Sequence, residues 1–210
     1  MEILLIRHGQ TDGNRAWRHQ HPDTRLNEAG KEQVARLQEA VLDFAPTHLV
    51  TSTNLRAVET ARVLALATGL TPATSHLFEE LRRPAVLTGQ RFIGLTTLRY
   101  LVTWFYGRKH GDGESYPEFI TRLLEARAYL ESLPIDARVV VVSHSVFINL
   151  FVEHRCRPKA IPLARALLRF LRIMRHKNTG ITHLRFGSSG ARDACAWTLI
   201  TEGKGTHLRS

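Results

Sequence analysis

No apolar run in this sequence reaches the roughly 18 residues that a membrane-spanning helix needs. Cysteine is scarce: Cys156 and Cys195 are the two in 210 residues. Their spacing fits no metal motif, and nothing in the sequence supports joining them as a disulfide. Internal repeats and low-complexity segments are absent. No signal-peptide pattern precedes the first apolar run, so the expected compartment is the cytoplasm. One long stretch also lacks acid. Residues 155–177 hold Arg155, Arg157, Lys159, Arg165, Arg169, Arg172, Arg175 and Lys177 without one Asp or Glu, in a chain of net charge +10. Arg165, Arg169 and Arg172 share one helical face by their 3–4 spacing. The plain reading is a solvated face. A surface that attracts anionic substrates or a membrane is a weaker reading. Nucleic acid is not expected as a partner, because no recognised module accompanies the charge.

What is present suits one domain. A length of 210 residues and an apolar content of 43% allow a sizeable core. Ile3-Leu4-Leu5-Ile6 and Val139-Val140-Val141-Val142 read as buried strands, and four successive valines fit a central parallel strand covered on both faces. His48–Thr51 reads as a short strand. Asn27 can cap a helix that carries Val34, Leu37, Val41 and Phe44 and stops at Pro46. Glu118–Ser132 reads as a further helix. Two late strands, 181–186 and 196–200, are joined by a Gly/Ser turn. This alternation predicts a three-layer α/β/α sandwich around a mostly parallel sheet.

Both strong strands end in histidine. Arg7-His8-Gly9-Gln10-Thr11 follows the first, and Ser143-His144 follows the second. Ligands of open α/β sheets bind outside the carboxyl ends of the strands. A third element is Ser52-Thr53-Asn54-Leu55-Arg56, in which three good N-cap residues precede a helix and Arg56 falls in its first turn. A cation is disfavoured there by the helix dipole, and an anion bound at that helix end would account for it. Two arginines and two histidines in one pocket describe a phosphoryl site. Guanidinium forks bind phosphate oxygens. An imidazole with one ring nitrogen held and the other free is a competent nucleophile. The arginines supply the charge, so the chemistry calls for no metal and no cofactor. His19-Gln20-His21 reads as a solvated loop rather than a metal site.

These residues resemble the signature of the histidine phosphatase superfamily, which includes the cofactor-dependent phosphoglycerate mutases. Arg7-His8-Gly9-x-Thr11-x-x-Asn14 matches the family pattern in full. Leu26-Asn27-Glu28-Ala29-Gly30 with Gln33, Ser52-x-x-x-Arg56-Ala57-x-x-Thr60-Ala61, and Val142-Ser143-His144 resemble its later blocks. Ser145 stands where the family usually has glycine. The likeness implies a phosphoglycerate mutase-like fold and His8 as the residue that accepts the phosphoryl group. It implies Arg7, Arg56 and His144 as the groups that hold it, with Gly9, Thr11, Asn14 and Ser145 beside it. The family's proton donor is a glutamate in a Leu-x-Glu block. Leu77-Phe78-Glu79-Glu80-Leu81 offers two, and Glu80 fits better because Arg82-Arg83-Pro84 follows it. A variable insertion, here about 82–116, is expected to roof the site, with Arg82, Arg83, Arg108 and Lys109 as candidates for a second anionic group. Within it, Phe92 to Tyr106 reads as a core helix before a mobile loop. The implied activity is hydrolysis of small phosphomonoesters through a phosphohistidine. Mutase-type transfer, or a binding protein with a vestigial site on the same fold, are the alternatives.

Overall fold

The computed structural model describes residues 1–156, 163–187, 195–205 and 207. Arg157 and Lys159 of the basic stretch, and the Gly/Ser turn expected after Gly187, lie outside them. In chain order the elements are β1 (Glu2–Arg7), α1 (Asp12–Arg15), α2 (Glu28–Phe44), β2 (His48–Thr51), α3 (Leu55–Thr68), β3 (Ala73–Thr74), α4 (Leu95–Phe105), α5 (Tyr116–Glu131), β4 (Arg138–Ser143), α6 (Ser145–His154), α7 (Leu163–Arg175), β5 (Ile181–Phe186) and β6 (Trp197–Lys204). The sheet order is β3-β2-β4-β1-β5-β6. β3, β2, β4 and β1 pair in parallel, and β5 and β6 add antiparallel at one edge.

The unbroken apolar runs follow from burial on both faces. Ile3, Leu5, Val139 and Val141 join a core with Phe119 and Leu123 of α5 and Phe147 and Phe151 of α6. Leu4, Ile6, Val140 and Val142 turn the other way, onto Leu37 and Val41 of α2 and Ala57 and Leu64 of α3. The successive side chains of each strand thus divide between two cores, as a pleated strand requires, and the sandwich has three layers. Asn27 caps α2 by accepting from the Gly30 amide at 2.8 Å. Ala45 closes that helix in the left-handed region, with φ 46°, directly before Pro46. A Cβ on Gly30 would stand 2.1 Å from the Gln10 carbonyl oxygen. Only glycine lets the start of α2 press so closely on the loop that leaves β1.

Three sequence expectations need correction. α4 is only half a core helix: Tyr100 and Trp104 are buried, while Leu95, Leu98 and Val102 are exposed. The arginines of α7 are not a free cationic face. Arg169 is buried between Glu153 (2.7 Å) and Glu202, Arg165 pairs with Glu153 at 3.2 Å, and Arg172 with Glu202 at 2.9 Å. The acids missing from 155–177 come from α6 and β6. Cys156 and Cys195 are joined as a disulfide across 39 residues of sequence, a pairing that their spacing does not suggest. No helix among the described residues is long and apolar enough to cross a membrane.

Candidate active site

Register brings the two histidines together. β1 and β4 are parallel neighbours with Arg7 opposite Ser143, so the next residue of each strand is a histidine at the same edge. The His8 amide donates to the Ser143 carbonyl at 3.0 Å, and the two imidazole centroids lie 5.1 Å apart. β2 lies on the other side of β4, with Thr51 opposite Val142. Its chain runs on through Ser52 into α3, whose second residue is Arg56. Three adjacent strand ends therefore deliver Arg7, His8, Arg56 and His144 to one place.

Hydrogen bonds fix the state of each ring. His8 is 3% exposed. Its Nδ1 lies 2.7 Å from the Gly9 carbonyl oxygen, which can only accept, so Nδ1 carries the proton. Nε2 is left with a lone pair, and Arg56 Nε donates to it at 3.2 Å. Burial, followed by the nearby Arg56 and Arg7 charges, holds His8 well below the usual histidine value. The imidazole is neutral at pH 7, as a nucleophile must be. Ser52 Oγ donates to Asn54 Oδ1 at 3.2 Å, so it accepts from His144 Nε2 at 2.8 Å. That leaves His144 Nδ1 buried without a protein partner. Burial and then Arg56 push His144 down in the same direction.

The two guanidiniums stay cationic although burial lowers each to about 10; Glu80 acts on both in the opposite sense. Arg7 donates to the His176 carbonyl, and its Nε has no partner. A buried, unpaired donor on a charged group costs more than the usual 1–3 kcal/mol or so, and an oxyanion would satisfy it. Arg56 also donates to the His21 carbonyl at 3.1 Å. Glu80 sits at the start of α6: its carboxylate accepts from the amides of Val146 (3.3 Å) and Phe147 (3.2 Å), and from that of Leu81 (3.0 Å). This places a carboxylate at the positive end of a helix.

Arg7, His8, Arg56 and Glu80 open on one cavity of about 870 Å³, whose lining also includes Asn14, Arg83 and Ser145. His144 is fully buried and is not on the cavity wall. Gly9, Thr11 and Arg82 are not on that wall. Gly9 supplies the acceptor for His8 Nδ1. Thr11 is fully buried, with its hydroxyl engaged by Asn14 and Gln20. Arg82 pairs with Glu79 at 2.8 Å, and Glu79 is off the wall too. Lys109 pairs with Glu118 at 2.8 Å, and neither it nor Arg108 reaches the cavity. His19 is not solvated as the sequence suggests: it is buried on the cavity wall, its Nε2 2.9 Å from Thr97 Oγ1. Among the described residues no group of three or more His, Cys, Asp or Glu is placed to hold a metal ion.

Sequence reading missed the loop between α7 and β5. Asn178 Nδ2 donates to the His8 carbonyl and to Asn14 Oδ1, each at 3.1 Å. His176 lines the cavity, is lowered to about 4 by burial and then by Arg7, and takes a hydrogen bond from Asn149 at 3.0 Å. The one cue was an Asn-Thr-Gly turn at the end of a basic stretch that drew attention only for its charge.

Comparison with known proteins agrees with this geometry. A model of the histidine phosphatase superfamily (branch 1) matches residues 3–195. A probable phosphoglycerate mutase GpmB of Yersinia pestis (strain Pestoides F) is 30% identical over 159 residues, 73% of this chain and 74% of that one. Its counterpart in Erwinia tasmaniensis is 29% identical over the same shares. Among solved structures, a putative alpha-ribazole-5'-P phosphatase from Escherichia coli superposes with a TM-score of 0.76 at 20% identity, covering 98% of both chains. A mycobacterial glucosyl-3-phosphoglycerate phosphatase complexed with VO3 superposes with a TM-score of 0.74 at 23% identity, covering 95% of this chain and 97% of that one.

Proposed function

Because this chain belongs to the histidine phosphatase superfamily, we propose that it hydrolyses small phosphomonoesters through a phosphohistidine on His8. The observation that carries the reading is the unprotonated Nε2 of a neutral, buried His8, which accepts from Arg56 on a residue that lines the cavity. In this reading Nε2 attacks phosphorus in line and the P–O bond to the alcohol breaks. The leaving oxygen takes a proton from Glu80, which lines the cavity where Glu79 does not. Arg7 and Arg56 match the charge of the equatorial oxygens. His144 Nδ1 becomes a donor once the arriving anion favours its protonated form. Asn14, Ser145 and Arg83 stand where they can meet the rest of the substrate. Water then attacks the phosphohistidine, with Glu80 taking its proton, and releases phosphate.

Mutase-type transfer uses the same groups, and relatives carry that name. A mutase must hold a small phosphoglycerate against water while turning it over. A cavity of about 870 Å³ is far larger than that task needs, which favours hydrolysis. The segment 82–116 is the roof in this reading, since α4 supplies much of the cavity wall. Cytoplasmic placement is part of the proposal. The Cys156–Cys195 bond counts against it, since disulfides are rare in reducing compartments, and thiol trapping of protein taken from cells decides the point. Function is tested by phosphate release from a panel of phosphomonoesters with a chelator present. Turnover without metal supports the reading. Interconversion of 2- and 3-phosphoglycerate without phosphate release would replace it with the mutase.

A further inference from the structure

The cavity holds much more than a phosphoryl group. Even at a water's volume of about 30 Å³ for each heavy atom, phosphate takes roughly 150 Å³ of the 870 Å³. Much of the remaining wall is hydrocarbon. Leu98, Leu101, Val102 and Phe105 of α4 all line it, and their spacing is i, i+3, i+4, i+7, a single helical face. Leu150 of α6 and Ile173 of α7 also line it. On the opposite face Tyr100 is buried in the core, and Trp104, buried at the edge between the two faces, also lines the cavity. α4 is thus apolar on two faces, and one of them leaves Leu98 58% and Val102 48% exposed. An apolar face that the fold does not cover, continuous with a catalytic cavity, marks a binding surface.

Besides the strand-end arginines, the lining carries the cations Arg15, Arg83, Arg175 and Lys177 at its rim and Arg169 beside α6. Arg169 is held by Glu153 and Glu202, and Arg83 lies over the Phe92 ring at 5.6 Å. Among the apolar residues of α4, Trp104 lines the cavity and its Nε1 is buried without a partner.

Resting on the phosphatase reading, we propose that the preferred substrate is a phosphomonoester of a bulky apolar alcohol. Its phosphate meets His8, and its hydrocarbon lies on the cavity face of α4, opposite Leu150 and Ile173. An oxygen near the head of the alcohol accepts from Trp104 Nε1.

Two measurements test this. In the first, kcat/KM is determined for ethyl, butyl, hexyl and decyl phosphate below their micelle concentrations. It rises about two- to fourfold per added methylene until the space is filled. Hydrolysis at a rate independent of chain length overturns the proposal and leaves the phosphatase reading standing. In the second, methyl- and decylphosphonate, which do not turn over, are titrated calorimetrically into the wild-type protein. Binding that tightens with the chain supports the proposal even where no phosphate is released. Equal binding overturns it even where hydrolysis occurs. Leu101→Gln with Phe105→Gln lowers the dependence on chain length in both series, and an undiminished dependence overturns the assignment to α4. A melting curve verifies that this variant is folded. Should it not fold, Leu98→Gln on the exposed part of the same face carries the same expectation.

Discussion

Replacing Arg122 with Met removes the charge that fixes the Glu80 loop. Arg122 of α5 and Glu114 are both buried, at 5% and 6% exposure. Their fork is two-pronged, with Nη2 to Oε1 at 2.5 Å and Nε to Oε2 at 3.1 Å. The same guanidinium donates to three successive bends of the loop: the carbonyls of Leu77 (3.0 Å), Glu79 (2.9 Å) and Glu80 (3.3 Å). Glu114 in turn accepts from the Arg82 amide at 2.9 Å. Arg122→Met therefore strands a buried carboxylate and three carbonyls. Breaking a buried pair on one side costs about 3–5 kcal/mol, a fall of about 6–20 °C in Tm for a chain of this length. Glu80 loses its tether, so kcat falls more on an alkyl phosphate, whose leaving oxygen needs a proton, than on nitrophenyl phosphate, whose leaving oxygen does not. Adding Glu114→Leu removes the stranded charge and restores much of the stability. It does not restore alkyl-phosphate activity, because the three carbonyls still lack their donor. Calorimetry and the two kcat values decide this. A single variant that melts like the wild type, or a double variant that recovers both properties, refutes the reasoning.

Glu80→Gln depresses alkyl-phosphate turnover strongly and nitrophenyl-phosphate turnover little, whereas Glu79→Gln leaves the ratio of the two unchanged; the reverse pattern moves the proton donor by one residue. His176 is lowered to about 4 in the folded protein from an ordinary 6.5, so between those values the unfolded chain binds the extra proton and stability falls as pH drops. The loss approaches roughly 2–4 kcal/mol by pH 4, and His176→Gln lessens it in melting curves taken from pH 7 downward; an equal loss in the variant removes His176 as its source. Arg169→Gln leaves Glu153 and Glu202 short of a buried partner and destabilises by about 2–4 kcal/mol, while Arg172→Gln, at an exposed pair, costs less than about 1 kcal/mol; equal denaturation midpoints for the two variants would contradict the pairing.

Legibility in the sequence followed burial and locality. β1 and β4 are readable because both faces of each are covered, which leaves an apolar letter at nearly every position. Arg7, His8, Arg56 and His144 are readable because they stand where strong elements begin or end. β3 is not readable: Ala73 and Thr74 are both exposed, so the strand exists only as an edge added to β2. α4 looks like a core helix because its apolar residues lie all round it, and the sequence cannot say that one of those faces meets a cavity. The basic stretch looks unopposed because its acids, Glu153 and Glu202, lie outside it and arrive through tertiary packing. Asn178 and the Arg122–Glu114 fork are invisible for the same reason. Their partners, at His8, Leu77 and Glu80, are distant in sequence.

In the proposed reaction His8 carries the phosphoryl group. Rapid mixing with a phosphomonoester, a quench that avoids acid, and intact-mass measurement test it most directly. The expected result is a phosphoryl adduct that is labile to acid, maps to His8 and forms at least as fast as turnover, with both adduct and activity absent in His8→Ala. Activity that persists in His8→Ala, or an adduct on another residue, would contradict it.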